Sequence, residues 1–176
     1  KAEVLNEALN NARVEETGLR IPKLLDVKKT ENGWAITREY IEGKTLSELM
    51  AENPEKEDEF LEKFVELQLE IHSKKAIHLN KIKDKMHAKI SASAYEATIR
   101  FDLHNRLEGV KKHNKVLHGD FCPSNIIVTP DDEYYVIDWA HATQGNASAD
   151  AARTYLLFCL QDNRALAEKY LNLFCK

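Results

Sequence analysis

One loop and the hairpin that follows it constrain this chain more than any other segment. The loop is His118-Gly119-Asp120-Phe121-Cys122-Pro123-Ser124-Asn125, and two short apolar runs follow it. Ile126 to Val128 and Tyr134 to Ile137 have the composition of strands, and the residues between them favour a turn. Asn125 therefore precedes the first strand and Asp138 follows the second, so both lie at the open end of one hairpin. Paired strands are about 5 Å apart, which brings these two side chains close together.

This arrangement predicts the chemistry of phosphoryl transfer. An amide oxygen from Asn125 and a carboxylate from Asp138 are the oxygen ligands that Mg²⁺ prefers. Asp120 lies on the same loop, where it could accept a proton from a hydroxyl nucleophile. Each residue has a simpler interpretation by itself, as a turn aspartate or as the first or last residue of a strand. The combined spacing favours catalysis and metal binding over those separate interpretations.

The pattern H-G-D-x-x-x-x-N, followed by I-D-W, resembles the aminoglycoside phosphotransferase family, which belongs to the kinase-like superfamily of small-molecule kinases. The resemblance covers nearly all of the chain. The segments that carry it, in chain order, are Val4 to Ala8, Glu39 to Leu46, Leu117 to Phe121, Val136 to Trp139, and Ala149 to Arg153.

The resemblance implies an α+β, protein-kinase-like fold with two lobes. Residues 1–42 would form a partial N-terminal, nucleotide-binding lobe and hinge, consisting of a helix and a β-hairpin. Residues 43–176 would form a mostly helical C-terminal lobe that carries the catalytic hairpin. Because the helix glutamate is already Glu7, the first strands of the lobe, with their glycine-rich loop and lysine, are expected to be missing. The chain is therefore expected to be an incomplete piece, and the exposed sheet edge near Trp34 to Ile41 is expected to promote self-association.

The resemblance also implies how a nucleotide binds. Asn125 and Asp138 would hold Mg²⁺ against the phosphates of ATP or GTP. Glu7 would orient the lysine that contacts those phosphates, although no such lysine is visible in the sequence. The backbone of the hinge, from Glu39 to Ile41, would contact the base.

Two further residues are expected to support the catalytic loop rather than to react. His118 would pack and form hydrogen bonds beneath the loop, and Asp150 would brace it through backbone N–H groups. Asp120 stays the one expected catalytic residue.

The leading hypothesis for the whole protein is an ATP- or GTP-dependent phosphotransferase that acts on a hydroxyl of a small molecule, as an aminoglycoside or choline kinase does, and the activity of this chain by itself stays open. The acceptor cannot be chosen among aminoglycosides, amino alcohols, sugars and other antibiotics. A non-catalytic kinase-like module is the alternative for this chain. A protein kinase is disfavoured, because Gly119 replaces the loop arginine and the segment between Asp138 and Asp150 is too short for an activation loop.

Composition limits the other partners and the compartment. The formal net charge of −4 gives no general affinity for nucleic acid or for acidic membranes. No apolar run approaches the roughly 20 residues that span a bilayer. The three cysteines are widely spaced and form no C-x-x-C pair, which favours reduced thiols in the cytoplasm.

Periodicity predicts three features outside the hairpin. Residues 2–16 are predicted to form a helix, and residues 72–89 are predicted to be loop and short turns. Residues 93–112 are predicted to form a long helix with a buried apolar side. The face of the first helix that is predicted to pack on the core consists of Leu5, Ala8, Leu9 and Ala12.

Overall fold

The computed structural model describes residues 2–176. The N-terminal part is a helix, α1 (Ala2–Glu15), that packs on an antiparallel hairpin of β1 (Leu24–Thr30) and β2 (Gly33–Arg38). Thr30 pairs with Gly33 across a two-residue turn, and Gly33 has a φ of +125°, a value that L side chains rarely adopt. The predicted helix and hairpin are confirmed.

Of the face of α1 that was predicted to pack on the core, only Ala8 is buried. Asn10 and Asn11 are buried, whereas Leu9 is 48% exposed. The Asn10 amide donates to the carbonyl oxygens of Trp139 at 3.3 Å and Ala140 at 3.2 Å. Backbone carbonyls of a short turn after the catalytic hairpin therefore meet this helix, and they require polar partners rather than leucines. The prediction that Leu5 and Leu9 face the core is wrong.

A short strand and a well-capped helix begin the second part of the chain. β3 (Lys44–Thr45) pairs with the hairpin of the catalytic loop, and α2 (Leu46–Glu52) follows directly. Thr45 Oγ1 accepts from the Glu48 N–H at 3.2 Å, while the Glu48 carboxylate accepts from the Thr45 N–H at 2.7 Å. This reciprocal capping box fixes the start of α2.

Three helices separate this region from the catalytic loop: α3 (Glu57–Ser73), α4 (Ile82–Ser91) and α5 (Ala97–Gly109). The prediction of loop for residues 72–89 is wrong over α4, which has no buried residue and only weak amphipathic periodicity. The predicted buried side of α5 is also wrong, since no residue of α5 is buried and Ile99, which lies on that side, is 46% exposed. These two helices pack mainly on each other, at the periphery of the molecule.

The remaining elements surround the catalytic loop. They are β4 (Lys115–Leu117), β5 (Ile126–Val128), β6 (Tyr134–Val136), β7 (Thr143–Gly145), α6 (Ala147–Leu160) and α7 (Arg164–Phe174). β4 pairs with β7, while β5 and β6 form the predicted hairpin and join β3 in a three-stranded sheet.

An aromatic cluster forms the core directly beneath the loop. The Phe64 ring lies 4.5 Å from that of Phe121, 5.8 Å from that of Phe158 and 5.9 Å from that of Tyr170. Because Phe121 belongs to the loop itself, the core of α3, α6 and α7 anchors the loop. No helix within residues 2–176 is long and apolar enough to cross a membrane.

Candidate active site

The candidate site begins where β4 ends, at a turn that requires glycine. Gly119 has a φ of +82°, and a Cβ atom there would lie 2.6 Å from the carbonyl oxygen of His141. Any other residue would be strained and would also collide with backbone. The turn presents the next residue, Asp120, at the surface of the C-terminal part.

A buried carboxylate holds this turn in place. Asp150, in the first turn of α6, is 2% exposed. It accepts hydrogen bonds from the N–H of Gly119 at 2.7 Å, from the N–H of His118 at 3.0 Å, and from His72 Nε2 at 3.0 Å. Burial opposes the charge, but the hydrogen bonds from His72 and the Gly119 N–H outweigh it and lower the pKa of Asp150. The carboxylate is therefore ionised, in the bracing position that the sequence predicts.

His72 is a partner that sequence reasoning missed. It lies at the end of α3 and is 2% exposed. The only sequence signal was its position four residues after Gln68, on the buried side of the helix, and the basic residues that follow it favoured an assignment to loop. Its contact with Asp150 joins residues that are 78 positions apart in the sequence, and local periodicity does not predict contacts over such a separation.

His118 lies under the loop and is fully buried. Its Nε2 donates to the Ile137 carbonyl at 2.9 Å, and its Nδ1 accepts from the Asp120 N–H at 3.2 Å. The ring centroid is 4.6 Å from that of Trp139. Burial lowers the pKa of His118 below its ordinary value of 6.5, so the ring is neutral and joins the loop to the end of the hairpin.

Two side chains fix the carboxylate of Asp120. Arg153 Nη2 donates to Oδ1 at 2.9 Å, and Asn125 Nδ2 lies 3.5 Å from Oδ2. The same Asn125 nitrogen donates to the Asp120 carbonyl at 2.9 Å. Arg153 belongs to a segment that carries the family resemblance, but the sequence by itself does not indicate its role. Its signal was its position three residues after Asp150, one helical turn along α6.

Asn125 and Asp138 lie at the open end of the hairpin, as their positions in the sequence predict. The Ile137 N–H donates to the Asn125 carbonyl at 2.9 Å, and Asp138 is the next residue. Asp138 has a φ of +61° and is exposed, and its Oδ1 accepts from the Ala140 N–H at 3.4 Å.

This donor set suits Mg²⁺. The Asn125 amide nitrogen is bound to the Asp120 backbone, so its amide oxygen would be the ligand that it offers to a cation, beside the Asp138 carboxylate at the same hairpin end. Both donors are hard oxygen ligands. Within residues 2–176 no group of three or more His, Cys, Asp and Glu could hold a metal. A cation here would therefore need further oxygen ligands from phosphates or water.

The predicted hinge lies beside the hairpin end. A cavity of about 210 Å³ is lined by Glu39, Tyr40 and Ile41 on one side and by Ile137 and Asp138 on the other. The structure thus brings the predicted hinge residues and one predicted metal ligand to the same cleft.

Glu7 reaches this cleft indirectly. Its carboxylate forms an ion pair with the Arg38 guanidinium, and Arg38 lines the cavity of the hinge. Both side chains are about three-quarters buried, at 27% and 29% exposed. The partner of Glu7 within residues 2–176 is therefore an arginine of β2, while its predicted pairing with a lysine stays a prediction.

The sequence of the chain matches a known protein family. The sequence model of a phosphotransferase enzyme family matches residues 1–175. No curated protein sequence matches the chain.

Solved structures give the fold. The chain is similar to aminoglycoside-3'-phosphotransferase of type VIII, with a TM-score of 0.67 and 17% identity over 98% of this chain and 72% of that chain. It is similar to aminoglycoside phosphotransferase APH(3'')-Id from Streptomyces rimosus, with a TM-score of 0.66 and 16% identity over 98% and 75% of the two chains. It is also similar to choline kinase LicA from Streptococcus pneumoniae, with a TM-score of 0.60 and 22% identity over 95% and 61%. These matches confirm the predicted α+β, kinase-like fold.

Proposed function

The chain belongs to this phosphotransferase enzyme family, and from that premise we propose that it serves to transfer the γ-phosphate of ATP or GTP to a hydroxyl group of a small molecule. One observation carries the proposal. Asp120 is held by Arg153 at 2.9 Å on a turn that glycine and a buried carboxylate fix, next to the hairpin whose open end carries Asn125 and Asp138. Preorganised polar groups of this kind supply most of the catalysis in phosphoryl transfer.

In the proposed reaction Asp120 acts on the acceptor. The acceptor oxygen forms a bond to the γ-phosphorus while the bond from that phosphorus to the β–γ bridging oxygen breaks. The nucleoside diphosphate leaves with the bonding electron pair, and the hydroxyl proton passes to the Asp120 carboxylate. The contacts from Arg153 and Asn125 orient this carboxylate, which limits the reorganisation that the step requires.

Asn125 and Asp138 would hold Mg²⁺ in the proposed site. The cation would neutralise charge on the phosphates as the diphosphate leaves. The proposed role of the two side chains is to bind the cation through oxygen atoms, which agrees with their donor chemistry.

The cavity beside Glu39, Tyr40 and Ile41 is the proposed nucleotide cleft. Backbone groups of this extended segment would contact the base, and Ile137 would pack beneath it. Under the proposal residues 1–42 are the nucleotide-binding part with the hinge, and residues 43–176 are the catalytic part. The Glu7–Arg38 ion pair would stiffen the wall of the cleft. Location in the cytoplasm and self-association through the edge of the β1–β2 sheet stay predictions of the sequence.

The test compares Asp120→Asn with Asp131→Asn, an exposed aspartate in the turn of the same hairpin. The proteins are incubated with labelled ATP or GTP, Mg²⁺ and a panel of cationic, neutral and anionic hydroxyl compounds. Asp120→Asn is expected to lower kcat by about 100-fold or more, because positioned general-base catalysis contributes roughly 10²–10⁴-fold. Nucleotide affinity should stay within about twofold, since Asp120 acts on the acceptor.

The control variant Asp131→Asn is expected to transfer phosphate at the rate of the unmodified chain. Undiminished transfer by Asp120→Asn would refute the role of this aspartate. Absence of transfer to every acceptor in the panel, with either nucleotide, would refute the proposed activity of this chain.

A further inference from the structure

A second cavity opens on the other side of the catalytic turn. Its volume is about 400 Å³, and Gly119 and Arg153 line the end nearest Asp120. Lys85 and Lys89, from successive turns of α4, also line this cavity. Among the described residues it shares no lining residue with the cavity beside the hinge, so it is distinct from the proposed nucleotide cleft.

The charged groups of this cavity are mostly cationic. Asp150 is the one carboxylate among its lining residues, and its two oxygens already accept from His72 and from two N–H groups of the turn. Neither Lys85 nor Lys89 forms an ion pair within residues 2–176. Two lysines without an ion pair, together with Arg153, whose partner Asp120 does not line the cavity, therefore face one cavity with no available carboxylate in its wall.

The electrostatics of Lys85 agree with this geometry. The side chain of Lys85 is half-buried, and burial makes the largest contribution to lowering its pKa. The positive charges of Lys89 and Arg153 lower the pKa further, which places both of these charges within interaction range of Lys85. An anion bound among them would relieve this repulsion.

Arg153 joins the cavity to the candidate reacting group. One guanidinium nitrogen donates to Asp120 Oδ1 at 2.9 Å. A guanidinium has five N–H donors, so this contact leaves donors for a ligand in the cavity. A small molecule held by Arg153 would consequently lie next to the Asp120 carboxylate.

We propose that the acceptor of the phosphoryl group is an anion, a small hydroxyl compound whose carboxylate or phosphate group binds Lys85, Lys89 and Arg153 while its hydroxyl faces Asp120. This inference rests on the proposed function, since it names the acceptor class of the same site. A polycation such as an aminoglycoside, or a quaternary amine such as choline, would instead bring like charge to three cations. Under this proposal the cavity selects its acceptor by charge, because the three cations attract an anionic acceptor and repel a cationic one.

Binding is the first test, because it does not depend on turnover. The probes are glycerol 3-phosphate, glycerate and glycerol, which share a hydroxylated three-carbon skeleton, together with choline and kanamycin. Chemical-shift changes in the chain, measured at low salt, are expected for one or both of the anions and weaker or absent for the other three. The phosphate and carboxylate probes distinguish the two anionic groups from each other.

Variants locate the binding. Lys85→Gln and Lys89→Gln should each raise the dissociation constant of the bound anion about tenfold or more, since hydrogen bonds to charged groups contribute about that much. Lys56→Gln is the matched control, because Lys56 is exposed in a short turn before α3 and does not line the cavity. Lys89 is exposed, so its variant should fold even if Lys85→Gln does not.

The outcomes separate this inference from the proposed function. Tighter binding of choline or kanamycin than of both anions would overturn it, as would failure of both anions to bind or equal affinity in all three lysine variants. If a cationic compound is phosphorylated with a higher kcat/KM than every anionic one, the acceptor class is wrong although the proposed function stands. If the anions bind through Lys85 and Lys89 but no acceptor is phosphorylated, the proposed function fails while the anion site stands.

Discussion

Replacing Asp150 by asparagine should destabilise the fold by removing the brace beneath the catalytic turn. The substitution keeps the size of the side chain but turns one acceptor oxygen into a donor. Asp150 accepts from Gly119 N at 2.7 Å, His118 N at 3.0 Å and His72 Nε2 at 3.0 Å. The new amide group would meet at least one of these donors, and no solvent reaches the site, since Asp150 is 2% exposed.

The expected cost is about 3–5 kcal/mol of unfolding free energy. Removing one partner from a buried hydrogen-bonded charged group typically costs that much, and each donor left without a partner contributes about 1–3 kcal/mol of it. For a chain of this length, 1 kcal/mol corresponds to about 2–4 °C in Tm. The substitution should therefore lower Tm by about 6–20 °C.

Urea denaturation at pH 7, followed by circular dichroism, measures this loss. The sign of the pH effect is fixed by the pKa of Asp150, which lies below its ordinary value of 3.8 in the folded protein. Its stabilising contribution is therefore present above that value and is lost as the pH falls through the lowered pKa. The control is Asp131→Asn, which changes an exposed aspartate in the same way and should cost less than about 0.5 kcal/mol.

A double-mutant cycle with His72→Gln distinguishes the brace from a general packing defect. If the carboxylate is bound as described, the two substitutions should be strongly coupled, by about 1 kcal/mol or more. A loss for Asp150→Asn no larger than that of Asp131→Asn would refute the account of the brace. Simple additivity with His72→Gln would refute the contact between Asp150 and His72.

Two further predictions concern the hairpin end and the buried histidine. Asp138→Ala should abolish phosphoryl transfer and weaken Mg²⁺-dependent nucleotide binding, while leaving metal-free nucleotide binding nearly unchanged. Titration calorimetry with and without Mg²⁺ measures both affinities. Equal nucleotide affinities of the variant and the unmodified chain in the presence of Mg²⁺ would contradict this prediction. Because burial lowers the pKa of His118 below 6.5, the unfolded chain takes up a proton there that the folded chain excludes, so stability should fall as the pH drops below about 6.5. In His118→Gln the slope of unfolding free energy against pH, measured by urea titrations between about pH 5 and 7, should decrease by up to about 1.4 kcal/mol per pH unit. An unchanged slope would show that His118 binds protons equally in the folded and unfolded chains, which would refute the effect of burial.

Features that depend on neighbouring residues were predictable from the sequence. Thr45 and Glu48 form a capping box because each reaches the backbone of the other within one turn. The alternation of strand and turn residues likewise defined the hairpin that brings Asn125 beside Ile137. Even the position of Asp150 under the turn followed from the resemblance of its segment to a family with this loop.

Sequence reasoning failed where a helix has no strongly apolar side. α4 has no buried residue, and its weak periodicity gave no signal to distinguish it from loop. α5 does have apolar residues at helical spacing, Ile99, Leu103 and Leu107, yet Ile99 is 46% exposed and none of the three is buried. Spacing shows that residues share a face, but the face that is covered depends on what the rest of the chain brings to it.

The sequence by itself determined the local geometry of the catalytic turn and hairpin, because glycine conformation, strand alternation and capping act over a few residues. Only the tertiary structure decided what surrounds that geometry. The contacts from Arg153 to Asp120 and from His72 to Asp150 join residues 33 and 78 positions apart. The cationic cavity likewise requires α4 to pack beside the loop. Such pairings depend on how helices are placed in space, and no local preference of the chain encodes that placement.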